Sequence, residues 1–321
     1  MPVSNYVVVR NRFEDFDEFA NAVRAWDLDF RQLDRGKSTP EFAQVIGSDV
    51  LFSYARFNRH YHQQGSTPPG MRTFALLEDA VSGVHWFGRE VTPSSLMCFP
   101  ASRNLESVSR PDFEVYTLSF SEALLNKTAV AIGLLDLGNI MREQDRVASC
   151  DPLLIQQLRN HLRKIRSFAQ HSPLYVSNPE LNQALENELP VLILTVLSNS
   201  LDVNKSKPAQ WKKQLALKKA REYLSEFPNE FISVNVLCEY ADVSLRTLES
   251  AFKEYYGVTP KNYLKATRLN GVYKELRKHN PQLSSITDIA NKWGFWHMGQ
   301  FAADYKRLFG ELPSTTIKRT D

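Results

Sequence analysis

The stretch S-I-T-D-I-A-N-K-W-G-F-W-H-M-G-Q-F-A-A-D-Y-K-R-L-F-G-E-L-P-S-T-T, from Ser285 to Thr316, reads as helix, turn, helix and stop. Ser285 and Asp288 form an S-x-x-D capping box ahead of the apolar residues Ile286, Ile289, Ala290 and Trp293. Gly294 supplies the backbone freedom that a tight turn after a helix needs. Phe301, Tyr305, Leu308 and Phe309 recur at i, i+4, i+7 and i+8, so the second helix carries one buried stripe, and Gly310 and Pro313 end it. The opposite face shows His297, Gln300, Lys306 and Arg307, hydrogen-bond donors beside cations that can neutralise phosphate. A short helix, a glycine turn and a second helix with that outward face point to a DNA-reading helix-turn-helix.

The unit occurs twice. From Val236 the chain runs V-L-C-E-Y-A-D-V-S-L-R-T-L-E-S-A-F-K-E-Y-Y-G-V-T-P; Leu248 matches Phe301, Phe252 matches Tyr305, Gly257 matches Gly310 and Pro260 matches Pro313. Between the copies, Leu269, Val272, Tyr273 and Leu276 mark a connecting amphipathic helix that ends before Pro281. Helical stripes alone mean little; a repeated helix-turn-helix closed by G-x-x-P means more. On these residues the region from about Leu215 to Thr316, roughly the last third of the chain, resembles the DNA-binding domain of AraC/XylS-family transcription regulators, with the second-copy pattern G-F-W-H…F-A…Y…F-G…P-S. The segment W-G-F-W-H-M-G-Q-F-A-A-D-Y is similar to the ethanolamine-operon regulator branch. Two departures bear on base preference rather than on fold: Asp242-Val243 stands where a glycine is usual, and Cys238 where the family usually has alanine.

At 321 residues and 43% apolar composition the chain has room for about two ordinary domains. Its longest strongly apolar run, Leu189–Leu197, is too short to span a bilayer. No basic segment followed by an apolar stretch stands at the N-terminus, so a cytoplasmic location is expected. Three scattered cysteines, Cys98, Cys150 and Cys238, argue against a disulfide framework and a thiolate metal cluster. The net charge of +3 hides an asymmetry: Lys205 to Asp321 holds 20 Lys/Arg against 12 Asp/Glu, and the remainder 19 against 24. A basic segment joined to a mildly acidic one suits a nucleic-acid module attached to a sensor.

In chain order, Arg12–Trp26 has helical spacing through Phe13, Phe16, Phe19, Ala20 and Val23. Short β-rich runs follow at Leu28–Leu33, Phe42–Ile46, Val50–Gln63, Met71–Leu77, Gly83–Arg89, Leu96–Phe99 and Phe113–Phe120, which read as a small antiparallel barrel or sandwich. The resemblance implies a cupin-like, effector-holding barrel there. Helical stripes return over Pro152–Gln170 and Pro179–Leu197; the family often dimerises through such helices, and burial within one subunit is the other reading. The expected fold class is therefore α+β, two-domain, with an N-terminal cupin-like β-barrel and packed helices and a C-terminal all-α double helix-turn-helix. The expected boundaries are a sensor over 1–200 (barrel about 28–120, helices about 150–198), a linker over 201–213 and the DNA-binding domain over 214–321.

The base-reading candidates are Arg246, Thr247, Glu249 and Ser250 in the first copy and His297, Met298, Gly299, Gln300 and Ala303 in the second. Arg246 can make a bidentate contact with guanine and Gln300 can read adenine. Lys253, Arg268, Lys306 and Arg307 are phosphate-contact candidates. Tyr54, Arg56, Trp86 and Tyr116 are the effector-pocket candidates, with burial in a core as the other reading. His60 and His62 share one side of a strand, with His85 further on, but no other His or carboxylate comes at a metal spacing. The expectation is a regulator of double-stranded DNA with a small-molecule effector, a homodimeric form and, by family implication, contact with RNA polymerase. No membrane partner, cofactor, metal or catalytic residue is expected. A metal-dependent cupin enzyme fused to a DNA-binding module and a ligand-independent dimeric regulator are the alternatives.

Overall fold

The computed structural model describes residues 6–13, 18–19, 22–23, 25–79, 84–86, 89–99, 104–134, 146–173, 175–202, 208–227, 231–278 and 284–318. The chain divides into two compact units: Met1–Asp29, Thr39–Asn58 and Gln63–Asn204 form one, and Phe30–Ser38, Arg59–His62 and Lys205–Asp321 the other.

The first unit is built on a nine-stranded antiparallel sheet. At its centre Phe113–Ser121 lies between Val50–Phe57 and Met71–Leu77, with Tyr116 opposite both Tyr54 and Leu76. Alternate residues of these strands, Val50, Phe52, Tyr54, Tyr116, Leu118 and Phe120, enter one apolar cluster. Three helical stretches enter it too: α1 (Glu122–Ala131), α2 (Pro152–His171) and a broken helix made of α3 (Pro179–Asn182), a π-helical turn at Gln183–Glu188 and α4 (Leu189–Ser198). The π turn has a reason in sequence: Pro190 has no N–H to donate four residues back, so the ladder widens ahead of it. A smaller five-stranded sheet takes the order Asp27–Gln32, Tyr61–Ser66, Asn104–Ser109, Val84–Trp86, Arg89–Val91. Both sheets are linear in order; among the described residues neither closes into a barrel.

The run Val50–Gln63, expected as one strand, is two, broken at Asn58–His60. Tyr6–Arg12, an apolar run followed by three polar residues, and Asn104–Ser109, whose polar residues blur any apolar alternation, are strands that the sequence did not mark. The stripes at Leu158, Leu162 and Ile165 and at Leu181, Leu185 and Leu189 are buried against the sheet of the same subunit; Leu153, by contrast, is 76% exposed. Seven of the fifteen residues of the helix expected over Arg12–Trp26 lie outside the described residues, as do Lys205 and Lys207 of the expected linker.

The second unit is helical: α5 (Pro208–Glu226), α6 (Val234–Ala241), α7 (Leu245–Tyr256), α8 (Pro260–Arg277), α9 (Ile286–Lys292), α10 (Met298–Phe309) and α11 (Pro313–Lys318). Side chains of Ser233, Ser244, Thr259 and Ser285 cap α6, α7, α8 and α9, and the capping box at Ser285 and Asp288 is complete. Asp242 sits at φ 55°, left-handed, where Gly294 in the second pair has φ 76°. Leu248, Phe252, Tyr256, Tyr263 and Leu269 bury one core, and Phe301, Tyr305 and Phe309 join Tyr273 in another.

The early segments are hydrogen-bonded members of this unit. Asn270, buried in α8, accepts from the Gln32 N–H and donates to the Gln32 carbonyl, each at 2.9 Å, as a neighbouring strand would. The Gln32 amide donates in turn to the carbonyls of Asp34, Gly36 and Leu308. His62 is buried, its Nδ1 3.0 Å from the Tyr263 hydroxyl.

Candidate nucleic-acid interface

Two helices in the second unit follow a short helix and a left-handed turn residue, and each turns one stripe inward. In α7 the inward residues are Leu248, Ala251, Phe252, Tyr255 and Tyr256. Four candidates remain on its outer side: Arg246 is exposed, and Thr247, Glu249 and Ser250 are half-buried. The Thr247 hydroxyl lies 3.0 Å from that of the capping Ser244, so its hydrogen-bonding capacity is partly used inside the protein. Lys253 is exposed one turn further on.

In α10, Phe301, Tyr305, Leu308 and Phe309 are buried while His297, Gly299, Gln300 and Ala303 are exposed and Met298 half-buried. A Cβ built at Gly299 meets nothing within 4 Å, so the glycine leaves open surface rather than accommodating a neighbour. His297 is the N-cap residue and makes no side-chain cap hydrogen bond. Beside it, Trp296 is 68% exposed, a large apolar surface next to the candidate reading face.

One residue that the sequence reading passed over organises this face. Asp304 is buried, 3.3 Å from Lys265 Nζ and 3.7 Å from Arg307. Burial alone would raise its carboxyl, but hydrogen bonds from Gln300 and Lys265 outweigh that and hold it below the usual range. Gln300 and Arg307 are thus anchored at their inner ends by one carboxylate; Lys306 is exposed beside them. The signal available was Gln300–Asp304–Arg307 at i, i+4 and i+7 on a helix.

Arg268, a phosphate-contact candidate, is half-buried rather than on this face. It lines a cleft with Arg31, Phe231, Lys292 and Trp293, and its guanidinium is 5.2 Å from the Phe295 ring centre.

In the first unit the pocket candidates separate. Tyr54 and Tyr116 are buried 5.4 Å apart; Tyr54 donates to Glu114 at 2.7 Å and Tyr116 to Glu78 at 2.6 Å. Burial first, and the carboxylate partners second, raise both phenols well above their ordinary value. Arg56 reaches Glu114 at 3.4 Å, and Arg166 lies over the Tyr54 ring at 3.5 Å. Trp86 is elsewhere, buried against Phe99. His60 precedes its strand instead of sitting within it, and its N–H donates to Asp34. His60 and His62 are both buried; the His85 side chain lies outside the described residues. Among the described residues no group of three or more His, Cys, Asp or Glu could hold a metal ion. Among them, too, no helix is long and apolar enough to cross a membrane.

A family model described as a helix-turn-helix domain matches residues 237–319. The XylDLEGF operon transcriptional activator 1 of Pseudomonas putida is 29% identical over 164 residues, covering 50% of this chain and 50% of that protein. The XylDLEGF operon transcriptional activator 2 of the same organism is 33% identical over 126 residues, covering 39% of this chain and 80% of that protein. The chain thus spans about half the length of the first of these relatives. Among solved structures, a probable AraC family transcriptional regulator from Rhodopseudomonas palustris is 30% identical, covering 33% of this chain and 96% of that one, with a TM-score of 0.30.

Proposed function

The chain belongs to the AraC/XylS family of transcription regulators, and from that premise we propose that it is a sequence-specific, effector-responsive activator of an operon. The observation that carries the reading is the pairing of α7 and α10. Each is a helix with an apolar stripe spent on its own core and donors left outside, and each is preceded by a short capped helix and a left-handed turn. In this reading they are the recognition helices of a double helix-turn-helix, held by α8. They enter successive major grooves about 34 Å apart on one face of the duplex. Arg246 and Gln300 read base edges, while Lys253, Lys306 and Arg307 set register on phosphates.

The β-rich unit serves as the sensor, cupin-like in this reading. It acts by binding and allostery with no chemical step: an effector matters only as far as it binds two conformations of the protein with different affinity. Activation is the direction favoured by the relatives, which are themselves operon transcriptional activators; the partners in this reading are RNA polymerase and a second copy of this chain. A cytoplasmic protein suits these partners. The likeness of Trp293–Tyr305 to the ethanolamine-operon branch makes ethanolamine one effector to add.

The test is capture of sheared genomic DNA by the purified chain at two salt concentrations, followed by sequencing. A few upstream fragments surviving the higher salt are expected. Uniform retention lost with salt would reduce the protein to phosphate binding and overturn sequence-specific regulation.

A further inference from the structure

Residues 33–37, which follow the strand Asp27–Gln32, form a turn built into the end of α10. A helix leaves its last carbonyls unpaired, and here the Leu308 carbonyl accepts from the Gly36 N–H at 3.0 Å and from the Gln32 amide at 2.6 Å. Gly310 closes α10 at φ 80°, and a Cβ built there would stand 2.9 Å from the Lys37 nitrogen, so the turn sits flush on the helix end. On its other side Asp34 accepts from the His60 N–H at 2.9 Å and pairs with Arg59 at 3.3 Å, and Arg59 also donates to the Arg35 carbonyl. The backbone of Arg35 is therefore held from both sides.

Its side chain is not. Arg35 is exposed, and among the described residues no carboxylate pairs with its guanidinium. It borders a groove together with Lys265, Asp304 and Arg307, three cations against one carboxylate. Asp304 is already taken by Lys265 at 3.3 Å and Arg307 at 3.7 Å, and Asp34 by Arg59, so the edge of the groove carries excess positive charge. Arg307 lies seven residues beyond Gln300, about 10 Å along the helix axis, and the major groove is about 8.5 Å deep. With its first turns at the base edges, α10 brings its last turn to the rim where the phosphates run. The turn bonded to Leu308 stands at that rim too.

We infer that this turn is a third DNA-contacting element of the helical unit, and that Arg35 binds a backbone phosphate next to the one met by Arg307. The inference rests on the DNA-reading role of α10 and adds a surface that neither helix pair supplies. A guanidinium suits the part: its fork matches phosphate oxygens, and a pinned backbone has little freedom left to lose on binding. The contact carries no sequence information itself; it fixes how α10 lies in its groove. A segment from the β-rich part of the sequence thereby takes a direct share in DNA affinity.

The experiment is fluorescence anisotropy of the full chain on two labelled duplexes, one cut from a captured upstream fragment and one of the same composition in scrambled order. R35A is expected to lower the salt slope by about 0.9 on both duplexes, so that the affinity ratio of unaltered chain to variant shrinks about 3.5-fold between about 50 and 200 mM salt. R35K, which keeps the charge, should keep the slope. Arg35 is exposed, so these variants are expected to fold. Ethylation interference, which blocks one phosphate at a time, should show R35A losing sensitivity at a phosphate adjacent to one lost in R307A. An unchanged slope, an unchanged footprint, or a slope that R35K fails to keep would each overturn the contact. Equal binding of the two duplexes by the unaltered chain would instead sink sequence-specific regulation, while the slope on the scrambled duplex still tests the turn; a chain that binds neither overturns both.

Discussion

Asp242 carries a left-handed backbone at φ 55°, where its short polar side chain is tolerated and a branched one is not. D242V should therefore destabilise the helical unit by about 1–2 kcal/mol, while D242G should be neutral or slightly stabilising; chemical denaturation of the two variants checks this. Gly271 is a closer case. Alanine there would gain about 1 kcal/mol of helix propensity, but its Cβ would stand 2.3 Å from the Trp293 ring. That clash is with a six-membered ring held by Glu275, so G271A should be net destabilising, with a lowered melting temperature. Arg246 is the residue whose loss should change what the protein reads. R246A is expected to relax discrimination at one base position by about 1–3 kcal/mol in competition binding. The glycine turn and the Ser285 cap were legible because they depend on neighbours within a few residues. Gly271 was not, because the ring that requires it comes from the next helix pair.

At the scale of elements, α2 is held to the sheet by charge as well as by its apolar stripe. Arg159, 2% exposed, donates to the carbonyl of Leu77 at 3.1 Å, and Arg163 donates to Glu78 at 2.6 Å and to Asp79 at 2.8 Å. Burial alone would raise the Glu78 carboxyl, but hydrogen bonds from Arg163 and Tyr116 prevail and keep it below its ordinary 4.5. A depressed folded-state value stabilises fully above the unfolded value and is lost as the pH falls through the folded one. Stability should thus decline below about pH 4.5, and E78Q should flatten that decline, as read from denaturation midpoints across the acid range. In α10 the exposed Lys306 belongs to the phosphate side of the proposed interface. K306A should weaken binding about equally on all sequences and reduce the salt slope by about one. Helix α7 runs Leu245–Tyr256, where capping serine, apolar stripe and terminal glycine all agree. The connecting helix starts earlier than Leu269, at Pro260, since proline is at home in a helix's first turn once Thr259 caps it.

At the scale of the whole molecule, Phe30–Ser38 and Arg59–His62 belong to the helical unit although they precede it by more than a hundred residues. Asn270 satisfies both backbone groups of Gln32 at a separation of 238 residues. N270A would leave a buried donor and acceptor unmatched, each worth about 1–3 kcal/mol, so a clear drop in the denaturation midpoint is expected, larger than for alanine at exposed Gln300.

The sequence by itself determined the helix pairs, their turns and caps, the division into a β-rich and a basic helical part, and through these the family. Such features follow from spacing, glycine and capping chemistry, which act over a few residues. Only the tertiary structure decided that Tyr54 and Tyr116 meet on one sheet while Trp86 lies apart, that Asp304 anchors Gln300, and that Arg268 lines a cleft away from the candidate reading face. It also decided that two short early segments complete the helical unit. Those outcomes depend on which distant residues come into contact, and a periodicity along the chain carries no record of that.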